Sequence, residues 1–487
     1  VEFFAARILT FMETSYKPTN TRSRRSAVQS ENERDILVEL DRAHRLPSFA
    51  PLDEVYRREP LILVRGKGVF VWDVNGRKYL DSAAGIWNVN LGFSRTDVAS
   101  AVARQLRTLS FHINLLNVTT PPAIRFAAKL ASLAPGSLKR VLLTSGGSES
   151  NESAIRLSRL YFALRGKPDK TVAIARKLGY HGSTLGAAAL TGIERFHRYY
   201  GPPGLKVRHI EPPYRYRCEF CRDHQECTLK CADLLEEAVL QEGPDKVGFF
   251  IAEPIIGSGG VIPAPKAYWT RVREICDRYD VLFVADEVIT AGGRTGKMFA
   301  CEHWDVLPDI ITCAKGISSG YAPLGAVIVD EKLYQAIRSG REGLAIWHGF
   351  TNTGHPLSCA VGLKTLEIIE NEKLPERARV MGERLIAGLQ KLKDSPIVGD
   401  IRGEGLMVGV ELVRDKQTRE PFPIQARVGA FLREAALEEG LLVRMAGDVI
   451  CLSPPLVIKE REIDLLLARL AAALYKTENW VKANGLL

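Results

Sequence analysis

Asp286-Glu287-Val288-Ile289-Thr290-Ala291-Gly292-Gly293-Arg294-Thr295-Gly296, followed by Ala314-Lys315-Gly316, is the stretch on which the reading of this chain turns. Ahead of it runs Val281-Leu282-Phe283-Val284-Ala285, apolar throughout and of buried-strand length. Asp286 therefore stands at the carboxyl end of a predicted strand. Lys315 follows 29 residues later, after a second apolar run, Ile310-Ile311-Thr312. An acid opposite a primary amine suits a cofactor that carries both an aldehyde and a ring nitrogen. The amine condenses with the aldehyde, and the acid keeps the nitrogen protonated.

Outward from this stretch, helical periodicity alternates with short β-branched runs from about residue 95. Helices are expected over residues 98–109, 123–133 and 149–164. Strands are expected at 141–143, 171–174, 247–251, 281–285, 310–312 and 325–329. That alternation predicts an α/β fold, with a mostly parallel sheet covered by helices on both faces. Ligands of such sheets bind at the carboxyl ends of the strands, where Asp286 and the loop at Ser145 both fall. Earlier in the chain, alternation on either side of Asn75-Gly76 predicts a hairpin with both turn residues at positive φ. Beyond residue 360 two helices, strands at 405–412 and a final helix at 460–475 suggest a smaller α+β domain. The hairpin region joins it, so that this domain is discontinuous. The expected boundaries are a disordered tail at 1–35, an N-terminal part of the small domain at 36–89, a large domain at 90–360 and the rest of the small domain at 361–487.

Of the 487 residues, 46% are hydrophobic and 25% charged, which is ordinary globular composition. No run is long and apolar enough to span a bilayer. The net charge of +9 is diluted over a large chain. Its local cluster, Lys17, Arg22, Arg24 and Arg25, lies in a Ser/Thr-rich tail and reads as solvated, so neither nucleic acid nor membrane is expected as a partner. Val1 to Met12 is apolar ahead of an Arg-rich stretch, the reverse of the charge order in a secretory signal. A transit-like segment and a start at Met12 are both open. The nine cysteines do not resemble a secreted disulfide framework, and the chain reads as cytoplasmic.

Thr144-Ser145-Gly146-Gly147-Ser148-Glu149 joins a predicted strand to a predicted helix. Glycines admit an anion to the backbone, and the first free N–H groups of the helix bind it. Ala291 to Lys297 invites a nucleotide-loop reading, which fails because Met298 replaces the Ser/Thr and Ala291 the first glycine. With Asp286 and Lys315, the phosphate-binding loop points to pyridoxal 5'-phosphate. Asp286 stabilises a protonated pyridine, and Lys315 is the amine and then the base above the reacting carbon.

Over about residues 40 to 480 the chain resembles the class III aminotransferases, of pyridoxal-phosphate fold type I. The resemblance implies a seven-stranded sheet in the large domain. Gly147 and Ser148 match the family's phosphate loop, Tyr180 in Tyr180-His181-Gly182 the ring-stacking tyrosine, and Val288 the residue packed on the other ring face. Asp286 matches the partner of the pyridine nitrogen and Lys315 the cofactor-bearing lysine. Phe350-Thr351 matches a segment reaching the neighbouring subunit's phosphate, which implies a homodimer with sites at the interface. In 4-aminobutyrate and ornithine members, a glutamate after Glu-Pro pairs with a carboxylate-binding arginine; here Ser258 takes its place in the segment following Glu253-Pro254. Ile289 stands where those members carry glutamine. Both departures resemble the amine:pyruvate or ω-amino-acid:pyruvate branch, as does Trp87, an aromatic wall of the small pocket. Arg444 matches the movable arginine that captures a keto-acid carboxylate, a task suited to its planar fork. Phe350 is expected beside the substrate. The expected activity is transfer of an amino group from a terminal amine or ω-amino acid to pyruvate or a similar keto acid. A 4-aminobutyrate/ornithine-type enzyme using 2-oxoglutarate is the alternative. A racemase or decarboxylase of the same fold, or a metal- or redox-sensing protein on this scaffold, stands further off.

Cys218-x2-Cys221-x5-Cys227-x3-Cys231 forms a Cys-rich insertion within residues 214–231. Four thiols this close suit one tetrahedral zinc or an iron–sulfur cluster, with His224 a substitute ligand; local thiol contacts are the other reading. Cys276, Cys301, Cys313, Cys359 and Cys451 read as small core hydrophobes.

Overall fold

The computed structural model describes residues 27–49, 52–200, 204–221, 224, 226–340 and 346–487. The basic cluster at residues 17–25 and Met12 lie outside them. Residues Ala27–His44 form a helix, so the expected tail does not reach residue 35. The chain divides into two compact units: residues up to Arg65 with Trp72–Arg77, and Gly66–Val71 with Lys78–Leu487.

In the first unit the predicted turn departs from expectation. Gly76 has φ +81°, but Asn75 does not adopt positive φ. Asp73 organises the turn instead. Its Oδ1 accepts the N–H groups of Asn75 (3.0 Å) and Arg77 (2.8 Å), and its carbonyl accepts Gly76 N–H (3.0 Å). An Asp side chain that binds its own backbone two residues on replaces the tight two-residue turn.

The second unit is built on seven strands: β1 (Leu138–Thr144), β2 (Val172–Arg176), β3 (Val207–Ile210), β4 (Val247–Ala252), β5 (Leu282–Asp286), β6 (Ile310–Cys313) and β7 (Gly325–Asp330). Their order is β1-β7-β6-β5-β4-β2-β3. β7 runs antiparallel to both β1 and β6, and the remaining pairings are parallel. The two-residue period divides the side chains cleanly. Phe249, Ile251, Val284, Ile310 and Val327 pack under helix α1 (Gly147–Leu164), against its Ala154, Ile155, Tyr161 and Phe162. Their neighbours Phe250, Phe283, Ala285, Ile311 and Ala326 face the opposite core. Burial on both faces is why these strands read as continuous apolar runs. Each such Val, Ile or Phe side chain contributes roughly 1.5–3 kcal/mol by leaving water.

A second sheet of this unit contains β8 (Val398–Glu404), β9 (Met407–Leu412), β10 (Arg444–Ala446) and β11 (Val449–Leu452), in the antiparallel order β8-β9-β11-β10. Helices α2 (Pro356–Asn371), α3 (Leu374–Gln390), α4 (Val428–Glu438) and α5 (Glu460–Ala483) accompany it. Leu441 and Leu442 pair in parallel with Leu80 and Asp81, which joins early and late parts of the chain. The run that resembled a nucleotide loop is a structural strap. Arg294 is fully buried and donates to the carbonyls of Leu406 (3.2 Å) and Pro454 and to Asn90 Oδ1 (2.7 Å).

Candidate active site

The parallel strands end where sequence reasoning placed the chemistry. Asp286, the last residue of β5, is buried. Its Oδ2 accepts hydrogen bonds from Asn151 Nδ2 (2.8 Å) and His181 Nδ1 (2.7 Å), and its Oδ1 accepts Val288 N–H (3.1 Å). Asn151, on α1, is itself fixed: its Oδ1 accepts from Thr312 Oγ1 (2.8 Å) on β6, and its Nδ2 also reaches His181 O (2.6 Å). Three elements thus lock one carboxylate in place. Asn151 carried no role in the sequence reading. Its signal was an amide four residues after Gly147, on a helix face that buries Ala154, Ile155 and Ser158. His181 was named only as a neighbour of Tyr180.

Lys315 directly follows the end of β6 and Ala314, with φ +44°, a strained conformation for a side-chain-bearing residue. Burial lowers its ammonium to about 8; Asp286 and Glu253 oppose that fall, and Arg444 adds to it. Among the described residues no hydrogen bond or ion pair holds its Nζ. The atom lies 5.8 Å from the centre of the buried Trp87 ring. Arg444 Cζ stacks on the same ring at 4.2 Å, a cation–π contact. Arg444 Nη2 donates to Ser258 Oγ at 3.3 Å, while its buried Nε has no partner among the described residues. Burial is also the main cause of a lowered Arg444 value. Ile289 joins Trp87, Ile255 and Met407 in one apolar cluster.

On the other side, β1 passes through Ser145 and Gly146 into α1, whose first backbone bond is Ser150 N–H to Gly146 O (3.0 Å). The N–H groups of Gly147 and Ser148 precede that bond. Ser145 N–H is held by Glu149 Oε2 (2.8 Å), but the buried Ser145 Oγ has no partner among the described residues. A Cβ on Gly147 would lie 2.8 Å from Val288 Cγ1, so the glycine allows Val288 its place. A Cβ on Gly182 would meet Ser148 Oγ at 2.4 Å, the atom that accepts Ser183 N–H (3.1 Å). Tyr180 OH bonds Ser183 Oγ (3.0 Å), and Tyr180 N–H donates to Glu253 Oε1 (3.0 Å). Glu253 Oε2 accepts Gly257 N–H (2.8 Å). Burial raises the Glu253 carboxyl, which His181 opposes and Asp286 reinforces. Glu253 is a link between the Tyr180 loop and the Ser258 segment that sequence reasoning missed.

Phe350 and Thr351 do not join this group within one chain. Thr351 is exposed, and Phe350 is half-buried with its ring 5.2 Å from that of His348. Among the described residues no hydrogen bond or ring contact ties either to Asp286 or Lys315.

The expected metal centre is a correction. Among the described residues no group of three or more His, Cys, Asp or Glu side chains is arranged to hold a metal ion. Cys231 lies in the first turn of the helix Lys230–Glu242 and is buried in the apolar core beside Ala232 and Leu235. Cys218, Cys221, Cys227 and Cys231 lie near one another without forming such a group. The close approach is between Cys221 and Cys227, whose sulfurs lie 3.8 Å apart. Burial opposes the Cys221 thiolate, but donors from Thr228, Cys218 and Cys227 outweigh it and bring the thiol down to about 7. Burial pushes Cys231 up to about 12.

The main site fits a phosphorylated pyridine aldehyde. Among the described residues it offers a buried amine and a buried hydroxyl without partners, a locked carboxylate and a helix start opened by glycine. Comparison with known proteins agrees. A profile described as Aminotransferase class-III matches residues 53–474. A putrescine–pyruvate aminotransferase of Pseudomonas aeruginosa is 39% identical over 429 residues, 88% of this chain and 93% of that enzyme. A chloroplastic gamma aminobutyrate transaminase of Solanum lycopersicum is 40% identical over 432 residues, 87% of this chain and 82% of that protein. The crystal structure of the omega transaminase from Pseudomonas jessenii in complex with PMP superposes with a TM-score of 0.89 at 37% identity, covering 92% of this chain and 99% of that one. Fold, site and kinship converge: the chain belongs to the class III aminotransferases and is a pyridoxal-phosphate-dependent transaminase.

Proposed function

We propose that this transaminase moves an amino group from a terminal amine or ω-amino acid to pyruvate or a similar small keto acid. The observation that carries the reading is the setting of Arg444. Among the described residues Arg444 contacts a serine hydroxyl and an indole face and forms no ion pair with a carboxylate. An arginine without such a partner binds a keto-acid carboxylate in one half of the cycle and can swing aside for an uncharged amine in the other. The test is a keto-acid panel with a fixed amine donor. Pyruvate is expected to give the highest kcat/KM. A dominant 2-oxoglutarate rate overturns the reading and favours the 4-aminobutyrate-type alternative, which the relatives' identities leave equally near.

Pyridoxal phosphate, when bound, would supply an electron sink for the reaction at the substrate carbon. Lys315 would carry its aldehyde and Asp286 its ring nitrogen. The start of α1 at Gly147 and Ser148 would take the phosphate, and Tyr180 and Val288 the two ring faces. Lys315 Nζ would be the base that takes up and holds the proton of the substrate carbon. Trp87 bounds the pocket and keeps water from it. We assign Thr351 and Phe350 to the active site of a second copy of the chain. The exposed Trp347 (81%) and Leu116 (80%) support an interface on this side. Light scattering is expected to give a homodimer. Thr351→Ala is expected to weaken cofactor retention, measured by dialysis.

Arg444→Ala is expected to raise the keto-acid KM by about 10–100-fold, the worth of a charge-assisted hydrogen-bond pair of about 1.5–3 kcal/mol. The half-reaction with an uncharged amine is expected to stay within about threefold; stopped-flow measurement of the two half-reactions separates them. The depressed Lys315 value gives a pH signature. Below about pH 8 the side chain is an ammonium and cannot attack an aldehyde. Uptake of pyridoxal phosphate by the apoenzyme should therefore accelerate about tenfold per pH unit up to about 8, then level. A rate still climbing toward the ordinary lysine value of 10.5 contradicts the burial argument.

A further inference from the structure

The cysteine segment lies apart from the site built on Asp286 and Lys315, and amine transfer uses none of its thiols. Cys221 is buried and Cys227 half-buried. Their sulfurs lie 3.8 Å apart, against about 2.05 Å in a disulfide. Cys221 Sγ also accepts Thr228 N–H (3.5 Å) and meets Thr228 Oγ1 (3.6 Å). Donors to sulfur favour the thiolate, which is the nucleophilic form. A cavity of about 400 Å³ borders Cys221, and His224, Arg215, Arg402, Arg419 and Asp400 also line it. It gives a small polar reagent a route to an otherwise buried sulfur. The guanidiniums of Arg215, Arg402 and Arg419 and the carboxylate of Asp400 make that approach polar. Cys231 is closed off in the core; Cys218 also donates toward Cys221, but the 3.8 Å sulfur approach is the one to Cys227.

We propose that Cys221 and Cys227 form a reversible two-thiol oxidation site, with hydrogen peroxide as oxidant and Cys227 as the resolving thiol. The Cys221 sulfur attacks one peroxide oxygen, and the O–O bond breaks. The leaving hydroxide takes up the proton released by Cys221 and departs as water, and Cys221 becomes a sulfenic acid. The Cys227 sulfur then attacks the Cys221 sulfur and the S–O bond breaks. The departing hydroxide leaves as a second water with the Cys227 proton. Two thiols lose two electrons, and one peroxide is reduced to two waters.

The pair occupies the outer end of a hydrogen-bonded chain. Arg215 holds the carbonyls of Cys221 and His224 (2.9 Å each), and neighbouring Tyr214 and Arg217 bind Glu411. Arg402 joins Glu411 (2.6 Å) and Tyr214 OH (2.8 Å) to Gly260 O (2.7 Å), two residues from Ser258.

The test treats holoenzyme with hydrogen peroxide, alkylates the remaining thiols and maps peptides by mass. One disulfide, Cys221–Cys227, reversed by dithiothreitol, is expected. In Cys227→Ser, dimedone is expected to label Cys221. Overturning results are a disulfide mapped to Cys218 or Cys231, a dimedone label on another cysteine, or Cys221 still fully alkylated as a free thiol. One zinc ion retained per chain and shielding the thiols overturns it as well.

Discussion

Lys315→Ala is expected to end amino transfer, with kcat falling by about 10²–10⁴-fold or more, and to remove the absorption of the bound aldehyde from the purified protein. A side chain that serves as both attachment point and proton carrier has no substitute in the pocket. General acid–base work by one positioned group alone is worth about that factor. Its partners show why it is poised. Burial makes the neutral amine available near pH 8, and Asp286 and Glu253 keep it from falling further. Trp87 bounds its position. The variant removes volume from a pocket rather than a packed core, so its circular dichroism should match the parent protein. Steady transfer by a colourless Lys315→Ala protein would refute the assignment.

Asp286→Asn is expected to lower kcat by at least about 100-fold while leaving the chain folded and able to take up pyridoxal phosphate. Asparagine keeps the shape but loses the charge. Asn151 and His181 both donate to Asp286 Oδ2 within 2.8 Å. An amide must turn its NH2 away from both, so it offers no acceptor toward a ring nitrogen. Each charge-assisted hydrogen bond is worth about 1.5–3 kcal/mol, and each 1.4 kcal/mol is about tenfold in rate. The reading is a split: colour retained, turnover lost. A variant within about threefold of the parent kcat would show that Asp286 does not hold the ring proton.

Much of this site was legible because the signals are local. Five apolar residues ending at Asp286 announce a strand buried on both faces, and Ser145 to Ser148 announce a strand passing into a helix start. β3 was not read as a strand: Val207-Arg208-His209-Ile210 is a four-residue edge strand carrying two basic side chains. Asn151 and His181 escaped for another reason. They act by meeting Asp286 across 135 and 105 residues of chain, and no local pattern records that convergence. Glu253 likewise reveals its part only when the Tyr180 loop folds onto it. Cysteine spacing suggested a tetrahedron, but spacing does not say which way a helix faces, and Lys230–Glu242 turns Cys231 into the core. Asn75-Gly76 signalled a hairpin, yet the preceding Asp73 took over the turn.

The central claim is that one amine, on Lys315, carries the cofactor. Reducing the purified, pyridoxal-phosphate-loaded protein with borohydride, digesting it and mapping the pyridoxyl group by mass spectrometry tests this most directly. A single modified residue, Lys315, is predicted. Label on a different lysine, or an unlabelled chain that still transfers amino groups, would contradict it.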